Sequence, residues 1–344
     1  MTITRDIPER TLFASDEARR LTKETFVFDC LSLYYVLDDP YVERCLEGGV
    51  NAVNITIAAE ADFDTMIRKM ETALEKIDRH PLLMLATSAD DCLRAQKEGK
   101  LGIVPGTQGG SMIGTDLSRV GLFYRLGLRF IGLAYTPANL FADGCGETRN
   151  GGLTFLGKDF IAAVDELPLI LDLSHSSHQA RAEATEIARA PVCTHSNAYA
   201  VNPNDRNTYD ETARAIVDKG GAMGLCGLPR SVAAKHPTLN DLMDHCDHYA
   251  KLLGEGAIGI GLDFTEAYQE QKTIMPESRR WRTLRPDIFG TVEDFGSQSY
   301  PRGLESIALL PNLTQALMDR GYSEPQIRSI LGGAWLDVIR RFVG

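Results

Sequence analysis

The chain has 344 residues; at about 150 residues per domain that is a soft count of two, although one α/β barrel of about 250 residues with insertions absorbs the same length. Hydrophobic residues at 44% and charged residues at 24% exclude a disordered chain, and 36 Lys+Arg against 47 Asp+Glu, a net charge of −11 with no dense basic run, exclude a phosphate-tracking nucleic-acid surface. At this size roughly 75% of the extended chain's surface is buried on folding, so the core needs neither disulfide nor structural metal.

In chain order, residues 1–10 carry acids and a proline where a leader peptide would need an apolar run, and no later stretch reaches the roughly 18 apolar residues of a membrane span. The expectation is a cytoplasmic protein with no membrane partner. Short apolar runs then recur at 26–31, 50–58, 101–107, 128–135, 167–173, 191–194, 221–228 and 257–264. They are Val/Ile/Leu-rich and do not alternate, as parallel strands buried on both faces require. Between them, 61–77, 90–98, 116–126, 177–190, 210–219 and 239–253 space apolar residues three or four apart, the helical period. An irregular Arg- and Pro-rich stretch follows at 269–300, and helices are expected over 304–320 and 323–342. Eight strands alternating with helices predict a (β/α)8 barrel over 1–344 as one domain, with an N-terminal extension 1–24 and C-terminal helices within 304–343. A doubly wound sheet would favour a glycine-rich turn after the first strand, and Asp29-Cys30-Leu31-Ser32-Leu33 has no glycine. Seven cysteines, an odd number without a C-x-x-C, read as reduced core residues.

Barrel chemistry sits at the C-terminal strand ends. There the runs end in Gln108, Tyr135, Ser174-His175, Thr194-His195 and Asp263, so two histidines and an aspartate converge on one mouth. Neutral imidazoles suit a borderline cation such as zinc, and a carboxylate beside them serves as ligand or as general base. Arg206, in the loop after the sixth run, could hold a substrate carboxylate, against the ordinary reading of a solvated loop arginine. His245 and His248 read as packing or solvated residues of an outer helix, and His178 as structural. The loop 144–152 offers lid material, with Cys145 read as inert, and Arg279-Arg280-Trp281-Arg282 reads as a lid, a partner contact or a solvated loop, the last favoured.

At Leu171-Asp172-Leu173-Ser174-His175, Pro191-Val192-Cys193-Thr194-His195-Ser196, Gly259-Ile260-Gly261-Leu262-Asp263-Phe264, Pro311-Asn312-Leu313-Thr314 and Leu331-Gly332-Gly333-Ala334-Trp335, the chain resembles the membrane (renal-type) dipeptidase family, peptidase M19, of the amidohydrolase-like barrels. The resemblance implies a two-zinc site cleaving dipeptides, with His175 and His195 as ligands of one zinc. It also implies Asp263 at the other zinc and the attacking water, and Arg206 on the substrate's carboxylate. The chain departs from the family at three places. The family's first strand ends in Asp-Gly-His-Asn-Asp, and here Leu31 and Leu33 stand at both ligand positions. The bridging glutamate is Gln108, and a substrate-facing histidine is Tyr135. Gln108, the ligand-poor first strand and the 144–149 loop are similar to a bacterial amidohydrolase side branch associated with catabolism of small methylated amines.

The leading expectation is therefore a hydrolase acting on an amide or peptide-like bond of a small carboxylate-bearing substrate. It would hold at most one zinc at His175, His195 and Gln108, with Asp263 catalytic and Arg206 and Tyr135 binding substrate. The alternatives are a metal-free enzyme on a small amine or betaine-type metabolite, and a catalytically silent ligand-binding relative. A homodimer is the base-rate expectation for assembly.

Overall fold

The computed structural model describes residues 12–271, 273–297 and 300–344. The first eleven residues, on which the expectation of no leader rests, lie outside them. So do residues 272, 298 and 299 of the stretch expected to be irregular.

Among the described residues nine parallel strands are present: β1 (Phe28–Leu33), β2 (Ala52–Ala58), β3 (Leu83–Leu85), β4 (Leu101–Thr107), β5 (Phe130–Gly132), β6 (Ile170–Asp172), β7 (Pro191–Val192), β8 (Met223–Leu225) and β9 (Ile258–Ile260). Eight of them form a nearly closed ring. Phe28 of β1 pairs with Ala52 of β2, Ala52 with Gly102 of β4, and Gly106 with Phe130 of β5. The ladder continues through β6 to β7, one parallel bridge from Cys193 to Met223 reaches β8, and Asp29 opposite Ile260 returns β9 to β1. This is the expected (β/α)8 barrel. β3 is the addition that the apolar runs did not show: three residues pairing with the first half of β4 alone, outside the ring. The ladders are also shorter than the runs, since an apolar run reports burial on both faces and the pairing ends where residues turn into the mouth. Run 167–173, for example, is strand only at Ile170–Asp172.

The helices are α1 (Asp16–Glu24), α2 (Tyr41–Glu47), α3 (Phe63–Arg79), α4 (Ala89–Glu98), α5 (Arg119–Arg125), α6 (Phe155–Asp165), α7 (His178–Ile187), α8 (Asp210–Asp218), α9 (Pro229–Val232) and α10 (Leu239–Leu253). Beyond β9 come α11 (Glu266–Glu270), α12 (Pro276–Leu284), α13 (Pro286–Phe289), α14 (Val292–Ser297), α15 (Leu310–Asp319), α16 (Glu324–Arg328) and α17 (Ala334–Phe342). Among the described residues no helix is long and apolar enough to cross a membrane.

Three described stretches are helical where the apolar periods predict no helix. The N-terminal extension ends in α1, which Ser15 caps by accepting from Ala18 N–H at 3.2 Å. It lies along α15, where Asn312 Oδ1 accepts from the N–H groups of Phe13 and Ala14 and Thr22 meets Thr314 at 2.7 Å. The stretch 269–300 is largely helical, as α11–α14. Arg279–Arg282 therefore lies in α12, with Trp281 buried against the loop after β5. A helix was also missed at α6, where Thr154 caps Gly157 N–H at 2.9 Å. Gly157 interrupts the apolar period, and a Cβ there would meet the Phe141 carbonyl at 2.1 Å, so only glycine lets the helix sit this close.

The C-terminal helices close the end of the barrel opposite the mouth. A π-helical turn at Ser329–Gly333 joins α16 to α17, and Trp335 is fully buried with its indole N–H donating to the Ile260 carbonyl at 2.9 Å. Gly259 supplies the floor for that ring, since a Cβ there would lie 2.0 Å from the indole nitrogen. We expect Trp335→Ala to lower unfolding stability by about 3–5 kcal/mol, the cost of an emptied aromatic site. Gly259→Ala should also destabilise although it adds only a methyl group. Denaturant midpoints check both, and an unchanged midpoint for Gly259→Ala would contradict the contact.

Candidate active site

The residues expected at the strand ends do come together. His175 follows β6 and His195 follows β7, their rings 4.9 Å apart between centroids, and the Tyr135 ring stands 4.3 Å from that of His175. What fixes them is Asp172, at the end of β6. Its Oδ1 accepts from Ser174 N–H at 3.0 Å, Ser174 hydroxyl at 2.5 Å and Thr194 N–H at 3.1 Å, and its Oδ2 from the Thr194 hydroxyl at 2.6 Å. Because the Thr194 proton is committed to Asp172, its oxygen accepts from His195 Nδ1–H at 2.7 Å. His195 is thereby held as the Nδ1–H tautomer, and Nε2 keeps its lone pair.

That lone pair meets nothing. His195 Nε2 and both ring nitrogens of His175 are buried without a hydrogen-bond partner among the described residues. Burial first, and then the nearby Arg206 cation, hold both imidazoles well below their usual range, so they are neutral at physiological pH.

Two buried arginines beside them differ in a telling way. Arg181 of α7 uses its whole fork. Nε donates to the Leu173 carbonyl, Nη1 to the Asn207 carbonyl and the Thr208 hydroxyl, and Nη2 to the Ser174 and Ser176 carbonyls. Arg206 bonds only the Ser174 carbonyl, through Nη1; its Nε and Nη2 are buried and unpaired among the described residues. Unpaired buried donors on a cation are costly, and a ligand anion is the natural occupant. Arg181 is therefore a brace, whereas Arg206 keeps two donors unused among the described residues. Arg181 carried no sequence signal, being one more polar residue in an amphipathic helix.

Asp263 follows β9 with a positive φ of 55°. Its N–H donates to the Leu31 carbonyl at 3.0 Å, and its own carbonyl accepts from the Tyr300 hydroxyl. Burial pushes its carboxyl up to about 7; Arg206 opposes this, while Asp29 and Asp172 add to it. Gln108 donates through Nε2 to the Thr56 hydroxyl at 2.8 Å, which leaves its amide oxygen as the acceptor end.

A pair of metal ions does not fit these residues. Leu31 and Leu33 offer no lone pair, and neighbouring Asp29 is already engaged by Leu262 N–H at 2.8 Å and the Ser32 hydroxyl at 2.9 Å. Among the described residues no cluster of three or more His, Cys, Asp or Glu is arranged to hold a metal. The donors that remain, two imidazoles with free nitrogens and one amide oxygen, suit a single cation.

The other candidates resolve as structural. His245 is buried, accepts from Ala198 N–H at 3.2 Å and donates to the Val232 carbonyl at 2.9 Å; burial pushes it down to about 4. His248 reaches Asp210 at 2.9 Å, and His178 stacks on Tyr209 with centroids 4.0 Å apart. Cys145 is buried, and burial raises its thiol despite the opposing Arg206 and Arg181, so it is inert. The solvated loop expected around Arg279–Arg282 is instead a cover over the mouth. Trp281 lies against Gly146, where a Cβ would come within 2.6 Å of its ring.

The model of the membrane dipeptidase family, peptidase family M19, matches residues 17–278. The chain belongs to that family. Membership makes it a dipeptidase-like hydrolase. It is 26% identical over 320 residues to dipeptidase tcpJ of Claviceps purpurea, covering 87% of this chain and 68% of that one. It is 29% identical over 291 residues to dipeptidase 3 of Mus musculus, where it covers 78% of its own length and spans about half (51%) of the relative's. Among solved structures, an amidohydrolase from Pseudomonas aeruginosa superposes with a TM-score of 0.84 at 26% identity, over 95% of this chain and 99% of that one. A metallopeptidase from Rhodobacter sphaeroides, liganded with a phosphinate mimic of L-Ala-D-Ala, shares the fold with a TM-score of 0.76 at 21% identity, over 93% of this chain and all of that one (100%).

The raised Asp263 carboxyl has a consequence for stability. From about pH 4 to 7 the folded chain holds a proton that the unfolded chain has released, so this residue's contribution to stability falls as pH rises through that window. Asp263→Asn should remove this part of the slope. It should raise stability at pH 8 by about 4 kcal/mol, at about 1.36 kcal/mol per unit over about three units, aided by the tolerance of asparagine for positive φ. Unfolding midpoints measured from pH 4 to 8 check it.

Proposed function

We propose that this family member hydrolyses an amide or peptide-like bond in a small carboxylate-bearing substrate, using a site that takes one zinc ion rather than two. The observation that carries this reading is a single mouth containing three buried ring nitrogens and a buried guanidinium with two N–H groups, all unpaired among the described residues. His175, His195 and the Gln108 amide oxygen would hold the ion. Such an ion supplies Lewis acidity toward a carbonyl oxygen and an activated water.

The chain's own residues do the rest. Arg206 presents Nε–H and Nη2–H, two parallel donors on one edge of the fork, to the substrate carboxylate. Asp263, with its carboxyl near 7, takes the proton of the attacking water and returns it to the departing amine. Tyr135 keeps its phenolic proton, because burial and then the Asp263 charge raise it, and so donates a hydrogen bond to the substrate. Leu31, buried where the family carries a ligand, makes that wall of the mouth apolar. The phosphinate dipeptide mimic bound by the Rhodobacter relative supports a dipeptide-like substrate. Seven free, buried cysteines support a cytoplasmic location.

A second reading, metal-free acid–base chemistry on a small amine, is favoured by one observation: among the described residues no three His, Cys, Asp or Glu side chains are arranged to hold a metal, where a catalytic zinc site uses three protein ligands. Elemental analysis of protein purified without a histidine tag separates the two. We expect about one transition metal per chain, lost in the His175→Ala/His195→Ala double variant, with dipeptide hydrolysis removed by a chelator and restored by Zn²⁺ or Mn²⁺. Two ions per chain, or turnover that resists chelation, would overturn the single-ion reading. Asp263→Asn should lower kcat by about 10²–10⁴ and remove the rise of activity with pH through about 7, whereas Arg206→Met should act mainly on KM.

A further inference from the structure

The loop that carries Arg206 is not held by the barrel alone. Asn204, Asp205 and Arg206 follow one another after β7, and the two residues preceding the arginine both reach the helices beyond β9. Asn204 accepts from Arg206 N–H at 2.9 Å, and its Nδ2 donates to the carbonyls of Arg230 and Ile288, each at 3.1 Å. Asp205 Oδ2 accepts from Arg285 Nη2 at 2.8 Å.

Arg285 stands between α12 and α13 with its side chain only 12% exposed. Its Nη1 donates to the carbonyl of Gly146 at 3.0 Å, with that of Cys145 at 3.5 Å, and its Nε and Nη2 reach Asp287 at 2.8–3.2 Å. Cys145 N–H in turn donates to the His175 carbonyl at 2.7 Å. One planar guanidinium thus ties together the loop after β5, the loop after β7 and the cover over the mouth. Those two loops reach, respectively, the backbone of His175 and the residue next to Arg206.

We propose that Arg285 is the positioning residue of the substrate-carboxylate site, fixing through Asp205 and the Gly146 carbonyl the loop that presents Arg206 to an anionic group. The inference rests on the reading of Arg206 as the carboxylate-binding residue. Arg285 does not touch the substrate. It acts through Asp205, and the same contacts make binding of the carboxylate depend on a closed cover. Asp205 is kept ionised, down to about 2, by His178 first and also by Arg285, so the link persists across the neutral range. Lysine cannot replace this residue, because a single ammonium point charge cannot span a carbonyl and two carboxylates as a planar fork does.

The test is calorimetric binding of two probes to the full chain: the phosphinate mimic of L-Ala-D-Ala, and the same compound with its terminal carboxylate converted to an amide. We expect the wild-type chain to prefer the acid by at least about tenfold, and Arg206→Met to abolish that preference. Arg285→Met, Arg285→Lys and Asp205→Asn should each cut the preference by about fivefold or more while leaving the affinity for the amide within about twofold. The Arg285→Met/Asp205→Asn double variant should be no worse than either single change. A chain whose preference is lost in Arg206→Met yet kept in Arg285→Met and Asp205→Asn overturns this inference alone. A wild-type chain without the preference, or an Arg206→Met chain that keeps it, overturns the reading of Arg206 and this inference with it. Should Arg285→Met fail to fold, Asp205→Asn decides, because it leaves the bonds of Arg285 to Gly146 and Asp287 in place.

Discussion

Asp172 is buried at the end of β6 and accepts four hydrogen bonds, two from each of the segments that follow β6 and β7. A carboxylate this deep is tolerable only when nearly all its lone pairs are used, and here they are used on the two segments that carry the histidines. Its consequences spread outward. Because the Thr194 proton is spent on Asp172, the ring of His195 has one tautomer, and because Ser174 is held, its oxygen also receives His195 N–H at 3.1 Å. Metal-ligating histidines are commonly oriented by such a relay behind the ring. The same relay would equally serve a histidine acting as an acid or base, which is why the metal content, and not the geometry of the relay, separates the two readings of the site.

Arg181 and Arg206 show how far two buried residues of one type can differ in their unmet bonds. Both are buried within reach of the Ser174 carbonyl, but Arg181 satisfies Nε, Nη1 and Nη2 on carbonyls and a hydroxyl, whereas Arg206 leaves two nitrogens idle. The idle charge also acts at a distance. Burial does most to lower both imidazoles and to raise Asp263; Arg206 adds to the first effect and opposes the second, which leaves the aspartate in the range useful for proton transfer.

Much of this was legible in the sequence. Eight buried runs gave the ring of strands, and the residues directly after them, Gln108, Tyr135, His175, His195 and Asp263, are the residues of the mouth, because a parallel barrel puts chemistry at strand C-termini whatever the loops do. What was not legible shares a different physical origin. β3 pairs with β4 alone and lies outside the ring, so the count of eight alternating units does not call for it, and α6 carries a glycine demanded by the Phe141 carbonyl, a contact invisible along the chain. The Arg-rich segment read as solvent-facing because charge density says nothing about which donors will find carbonyls. Arg285 and Trp281 became interpretable only once the loops after β5 and β7 were seen beneath them.

The departures from the family pattern are also consistent with one another in charge. Where the family places an aspartate and a bridging glutamate, this chain has Leu33 and Gln108, so two negative charges are gone; the histidine lost at Leu31 was neutral. One divalent cation carries the same two charges with opposite sign. Removing the ion together with those two carboxylates leaves the net charge of the mouth unchanged, whereas removing the carboxylates alone would leave two cations and Arg206 facing each other in a buried site. With one ion bound, Asp263 and a substrate carboxylate would set two negative charges against the three of the ion and the buried guanidinium; with two ions the same pair would face five, a far costlier imbalance in a buried site.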